Sequence, residues 1–276
     1  MDKIYNILEE NRTKGINLAL CVVVSTSGST PLNAGAKMLV MESGQIHGTI
    51  GGGNLEKKVI DNAKEVLKMK EPKLFQHNLF QQHGMCCGGT VHIYIEPVLP
   101  SNKLYIFGSG HVGRALSNYA STLSFDVYVI DDRMDELNKI NNATVNKLPF
   151  SYDEILPSLP FSENIFIAIM THDHQIDREI LAYCLNKSFA YLGMIGSKRK
   201  VEVTKKMLLS TQLFNADDLS KIDMPMGYNT NANNPEEIAI SILVKIIEVK
   251  NTKPHYEQDI ENRIKLKINE SIINNG

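Results

Sequence analysis

One stretch constrains the fold more than any other. LYIFG (104–108) runs through Ser109 into GHVG (110–113) and a helix-forming segment, and FDVYVID (125–131) follows. A buried strand that turns through glycines into a helix, and then into a second buried strand, is a βαβ unit. Its strands must lie parallel, because the helix carries the chain back across the sheet. The glycines suit such a turn: Gly108 for the tight bend, Gly110 for close approach of a pyrophosphate, Gly113 for helix–strand packing. A phosphate at the helix start, beside His111, would meet free N–H groups and a favourable dipole. Asp131 ends the next strand, where an acid meets a ribose 2′-hydroxyl in dinucleotide folds, and Asp132 follows it. These residues are candidate contacts to NAD(P) or another nucleotide. The alternative is that the glycines only shape the turn.

The alternation continues downstream. IFIAIMT (165–171) precedes a helix holding Ile176, Ile180, Leu181 and Leu185, and FAYLGMIG (189–196) precedes a helix beginning near Lys198. Pro235 with Glu236 and Glu237 opens another helix, with acids against its positive end. Residues 101–250 therefore read as a Rossmann-like parallel-sheet domain.

Residues 1–100 have a different rhythm. A short amphipathic helix at 2–12 precedes strands at 17–25 and 36–41, and Leu55, Val59, Ala63, Val66 and Leu67 form one face of a helix ending near Lys70. Strands at 73–80 and 90–96 follow, and Pro97 and Pro100 close the unit. The expectation is an N-terminal α/β domain with a mixed sheet, bounded near residue 101. Residues 251–276 read as a helical tail whose Ile260, Ile264, Ile268 and Ile272 need a partner, so a homodimer is expected.

Charge and cysteine usage narrow the function. Lys and Arg number 29 against 31 Asp and Glu, so nothing draws the chain to nucleic acid or an anionic membrane. No apolar run approaches the ~20 residues of a membrane helix, and the N-terminus lacks a signal-like segment. Cys21, Cys86, Cys87 and Cys184 form no CxxC pair, and a cytoplasmic location is expected.

Four further segments could carry chemistry. In GTIGGGNLE, the glycines Gly51, Gly52 and Gly53 leave N–H groups uncovered for an anion, or simply allow tight packing. Glu56, in the first helical turn, compensates the dipole on the bland reading. Cys87, followed by Gly88 and Gly89, is either a soft metal ligand or an inert buried thiol. Thr171, His172 and Asp173 leave a buried strand at the sheet edge where ligands bind; a metal and a helix cap are the competing readings. Ser197 and Lys198 follow the next strand at the same edge, as a phosphate contact or a solvated first turn.

In order, STSGSTPLNAGAKMLV, GTIGGGNLE, CGG, IFGSGHVGRAL, DDR, THDHQID and YLGMIGSKRK resemble the XdhC/CoxI family, from about residue 15 to 250. Members of that family are xanthine dehydrogenase accessory factors. The resemblance implies a chaperone that binds molybdenum cofactor (molybdopterin), protects it during exchange of an oxo for a sulfido ligand, and helps insert it into a molybdenum hydroxylase. Sulfur would come from a cysteine desulfurase. The family's GGGxxE maps onto Gly51, Gly52, Gly53 and Glu56, its CGG cysteine onto Cys87, and its GxGHVG onto Gly108, Gly110, His111, Val112 and Gly113. Cys87 is then the thiol expected at molybdenum. Asn231 stands where the family pattern has glycine, and Cys86 is an added thiol. The leading expectation is a chaperone without turnover of its own. The alternatives are an NAD(P)-dependent oxidoreductase and a docking protein whose glycine loops are structural.

Overall fold

The computed structural model describes residues 2–80 and 88–252. Cys87, Cys86 and the tail stripe lie outside the described residues. The chain divides into two units, Met1–Ser101 and Asn102–Gly276.

The first unit runs α1 (Asp2–Thr13), β1 (Leu18–Ser27), β2 (Lys37–Met41), β3 (Ile46–Gly48), α2 (Gly53–Met69), β4 (Lys73–Asn78) and β5 (Thr90–Val98). Its sheet has the order β3-β2-β1-β5-β4. Every pairing is antiparallel, which corrects the expected mixed sheet. The helix α2 joins strands at opposite edges, so the two strands it connects never become neighbours and no parallel pair arises. Alternation along the strands sends Ala19, Cys21, Val40, Ile93 and Ile95 to the face covered by α2 through Leu55, Val59 and Val66. Leu18, Leu20, Leu39 and Met41 take the other face, under Ile4, Ile7 and Leu8 of α1. Pro97 lies within β5 instead of closing it. It faces Ala19 beyond the last β4 pairing at Ile95, where no ladder donor is needed on that side.

The second unit contains β6 (Asn102–Phe107), α3 (His111–Ala120), β7 (Phe125–Ile130), α4 (Met134–Leu137), β8 (Asn146–Leu148) and α5 (Tyr152–Ile155). There follow β9 (Ile165–Ile169), α6 (His174–Leu185), β10 (Tyr191–Met194), α7 (Lys198–Ser210), α8 (Ala216–Ser220) and α9 (Pro235–Asn251). The sheet order is β10-β9-β6-β7-β8, parallel throughout. The chain moves outward from β6 to β8, then returns to β9 on the other side. The C-terminal ends of β6 and β9 therefore flank a topological switch point, where open α/β sheets bind ligands.

Leu104, Ile106, Val127 and Phe166 pack beneath α3 and α9, which contribute Leu116, Ala120, Ile242 and Ile246. Tyr105, Phe107, Ile167 and Leu192 pack on the opposite face with Ile180, Leu181, Cys184 and Val201 of α6 and α7. Asn231 adopts φ +55°, the left-handed conformation that asparagine tolerates better than most non-glycine residues. Among the described residues no helix is long and apolar enough to cross a membrane.

Candidate functional site

Each unit gathers part of the expected site at one edge of its sheet. In the second unit, Gly108 has φ +113°, and a Cβ there would stand 2.3 Å from the Met170 carbonyl oxygen. The turns after β6 and β9 thus touch, bringing Thr171 against the glycine loop. A Cβ on Gly113 would stand 2.0 Å from the Gly108 carbonyl oxygen, so both outer glycines are demanded by the protein's own packing. Gly110 differs: nothing lies within 4 Å of where its Cβ would be. It begins α3 without a side-chain cap, beside exposed His111. Gly110→Ser is expected to raise stability by a few tenths of a kcal/mol, because serine can cap the helix in the same backbone conformation. Thermal unfolding checks this, and a clear loss would show that the backbone requires glycine.

Asp131 is not placed as a ribose acceptor. It is fully buried, and both its oxygens are occupied. Ser109 donates to Oδ2 through its amide (2.7 Å) and hydroxyl (2.8 Å). Arg133 donates its amide (3.0 Å) and Nε (2.9 Å) to Oδ1, and Nη2 (2.7 Å) to Oδ2. Burial alone would raise this carboxyl, but the Arg133 and Ser109 donors outweigh it and hold the group well below the usual carboxylate range. Arg114 adds bonds to the Ser109 carbonyl (3.0 Å) and to Glu136 (2.7 Å). Asp131 locks the glycine turn from within, and both oxygens that a ribose hydroxyl would meet are held by the chain's own donors. Asp132 points to solvent.

The loop after β9 is organised by a residue that sequence reasoning passed over. Buried Asp177 accepts from the Thr171 amide (2.9 Å) and hydroxyl (2.7 Å) and from Lys200 Nζ (2.5 Å). The Lys200 side chain is only 10% exposed and its stem lies over Gly196, where a Cβ would stand 2.8 Å from Cδ. Asp173 caps α6 by accepting from the Gln175 amide (2.6 Å), and Ser197 caps α7 by accepting from the Lys200 amide (3.3 Å). His172 and Lys198 are exposed. Among the described residues no group of three His, Cys, Asp or Glu side chains is disposed to hold a metal. Helix capping thus accounts for Asp173. Tyr152, buried near Asp131 and Asp132, keeps a hydroxyl without a hydrogen-bond partner among the described residues, and burial pushes its ionisation upward.

In the first unit, the glycine-rich loop already holds an anion: its own Glu56. Oε1 accepts from the Thr49 hydroxyl (2.5 Å) and from the amides of Ile50 (3.1 Å) and Gly52 (3.0 Å). These amides therefore do not face a ligand, and Glu56 does more than compensate a dipole. Gly51, Gly52 and Gly53 all have positive φ, at 131°, 77° and 62°. A Cβ on Gly51 would stand 2.5 Å from Pro31 Cγ, whereas Gly52 and Gly53 border open space.

Pro31 belongs to the loop after β1, and the same loop reaches the segment that follows Cys87. A Cβ on Gly28 would stand 3.1 Å from Gly89 Cα, and one on Gly89 would stand 2.4 Å from the Ser29 carbonyl oxygen. Gly89 also donates its amide to Ser29 (3.1 Å) and accepts from the Leu79 amide (3.0 Å). Gly88 is exposed, with nothing where a Cβ would be. The glycines at 51–53 and 88–89 are thus brought together through loop 28–31, at the sheet edge where β1 ends and β5 begins.

A family model described as the XdhC Rossmann domain matches residues 104–246, and one described as the XdhC and CoxI family matches residues 12–78. YqeB, an uncharacterized protein of Escherichia coli K12, is 34% identical over 242 residues, covering 86% of this chain and 44% of that protein. A Bacillus subtilis 168 protein described as a probable xanthine dehydrogenase subunit is 26% identical over 162 residues, covering 58% of this chain and 47% of that one. The chain spans less than half the length of these curated relatives. A crystal structure of a xanthine dehydrogenase from Bacillus halodurans has a similar fold, with a TM-score of 0.50 at 21% identity over 91% of this chain and 97% of that one. The Rossmann match alone covers more than half of the residues, and the chain belongs to the XdhC/CoxI family.

Proposed function

We propose that this chain is an accessory factor in maturation of a xanthine dehydrogenase-type molybdenum hydroxylase. It holds molybdenum cofactor as cargo, shelters it while a cysteine desulfurase supplies sulfur, and passes it to the hydroxylase without turnover of its own. One observation carries the reading beyond family membership: loop 28–31 gathers the glycines at 51–53 and 88–89 at a single sheet edge. Gly52, Gly53 and Gly88 border space that a side chain would fill, which suits a bulky ligand lying close to backbone.

Cys87 immediately precedes this edge in the sequence. A thiolate there would be a soft ligand for molybdenum. Cys21 and Cys184 do not compete for the role, because burial pushes both thiols up to about 12 and seats them in cores. In the second unit Asp131, which with GSGHVG and the THDH loop motivates the alternative of an NAD(P)-dependent oxidoreductase, is already held by Ser109 and Arg133.

Protein purified from a molybdate-supplied host should carry molybdenum and fluorescent pterin in stoichiometric amounts. Cys87→Ala should lower the molybdenum content about tenfold or more. A wild-type chain without either component would overturn the proposal, and equal loading of the variant would remove the thiol from it.

A further inference from the structure

An apolar groove of about 420 Å³ lies on the outer side of α9, walled by Tyr228, Thr230 and Ala232 of the loop before the helix and floored by Ile240 and Val244. Ile242 and Ile246 turn the opposite side of α9 into the core, whereas Ile240 and Val244 remain 49% and 48% exposed. They stand one helical turn apart and form a continuous ridge, unlike the single apolar side chains that any surface scatters. Tyr228 is held in place by Lys245, whose ammonium lies 5.0 Å from the ring centre and 2.6 Å from Glu248. The wall is therefore fixed beside an apolar floor. The loop that builds it sits at the ligand edge of the sheet. Asp223 bridges to Gly193 in parallel, and the Met226 amide donates to the Met194 carbonyl, so residues 227–234 leave at the same end as the turns after β9 and β10.

We infer, independently of any cargo, that this groove seats the chain's own residues 256–272, folded back against α9. Thr252, which caps the helix, has already left the helical conformation at ψ 96°, and Pro254 follows it closely in the sequence. A proline there prevents α9 from running straight on, because it lacks an N–H and bars its predecessor from the helical region. A short connection between two helical segments returns the second antiparallel to the first. The spacing of Tyr256, Ile260, Ile264, Ile268 and Ile272 predicts a helix with one apolar ridge. Helical rise then sets the register. Val244 and Ile240 lie ~11 and ~17 Å back from Asn251, and Ile264 and Ile268 lie ~12 and ~18 Å beyond Tyr256. An antiparallel return thus sets Ile264 beside Val244 and Ile268 beside Ile240, and carries Ile272 toward the wall at Tyr228. Both ridges repeat every four residues, the commonest way for two helices to interdigitate. The short connection favours the chain's own segment over that of a second copy, since it presents the ridge at a roughly millimolar effective concentration. Seated there, the segment braces the 227–234 loop at the ligand edge.

Paired cysteines test the register in the full chain, with Cys86→Ser and Cys87→Ser as background so that the native thiols left are the buried Cys21 and Cys184. Ile240→Cys with Ile268→Cys should close to a disulfide within one chain under air oxidation. Ile240→Cys with Ile260→Cys should not, because Ile260 lies ~12 Å along the helix from the matched position. Non-reducing electrophoresis and peptide mass spectrometry read the outcome, and a bridged monomer from the first pair alone is the expected result. Bridges joining two chains would overturn the assignment in favour of a second copy as occupant. Equal bridging of both pairs, or of neither, would overturn it outright. Hydrogen exchange on the unsubstituted protein supplies a second reading. Amides of 256–272 should exchange at least tenfold more slowly than in the double substitution Ile240→Asp, Val244→Asp, whose sites are exposed enough to leave the fold intact. Equal exchange in the two proteins would show that the segment does not use this groove.

Discussion

Lys200→Met should destabilise the second unit by about 3–5 kcal/mol, the cost of stripping a buried charge of its partner. Asp177 has no solvent exposure, and Lys200 Nζ sits 2.5 Å from its Oδ2. Without the ammonium the carboxylate keeps the neutral Thr171 donors and the ring of exposed His174, whose Nδ1 lies 3.9 Å from Oδ2. Methionine retains much of the stem that covers Gly196, so the measured loss reports charge more than packing. Over a unit of this size the midpoint of thermal unfolding should fall by roughly 10 °C. Adding Asp177→Asn should recover most of that loss, since asparagine still accepts from Thr171 and carries no charge. A melt unchanged by Lys200→Met would mean that the pair is exchanging with water. Failure of the second change to rescue would mean that Asp177 matters through geometry alone.

The second large effect belongs to Glu56. Glu56→Ala leaves the Ile50 and Gly52 amides without their acceptor and should cost about 2–3 kcal/mol. The vacated loop would then be an open anion site, so phosphate should restore stability to the variant while leaving the wild type unmoved. The wild type should also weaken in acid. Burial alone would raise the Glu56 carboxyl, but donors from Thr49, Gly52, Ile50 and Gly51 outweigh it and lower the group below its ordinary 4.5. A carboxyl lowered by folding contributes stability that is complete above its unfolded value and disappears as pH falls through the folded one. Glu56→Gln should therefore flatten the acid limb of a stability–pH curve. A curve of unchanged shape would place the acid sensitivity elsewhere, with Asp131 the next group to test.

The parallel sheet was legible because each of its main strands is a near-continuous apolar run between turn formers, as IFIAIM is. The shorter elements were not. β8 has three residues and α4 four, too few for any period to show. The antiparallel pairing of the first sheet also escaped, because a helix between two strands suggests a crossover and says nothing of how far it travels. Polar contacts escaped for a different reason. Glu56 looks like any acid in a first turn, yet its partners lie four to seven residues back, in a loop that reverses over the helix start. Asp131 fits a dinucleotide pattern by position, and only its surroundings reveal that Ser109 and Arg133 already hold it. Lys200 reads as one of three basic residues in KRK, and only the proximity of α6 to α7 selects it.

The two strand orders imply different schedules for a chain emerging from the ribosome. In the second unit the central strand β6 is made first, and each later strand can add to an edge that already exists. The first unit works in reverse. Its β5, the partner of both β1 and β4, is made last, and Leu18 must wait for Val98 to be synthesised before their pair can close. Until about eighty residues have followed it, β1 has only β2 beside it, and β4 has no strand at all. The half of the molecule that carries the glycine cluster is therefore the half that spends synthesis with unpaired edges, and it is there that a nascent-chain chaperone would find something to hold.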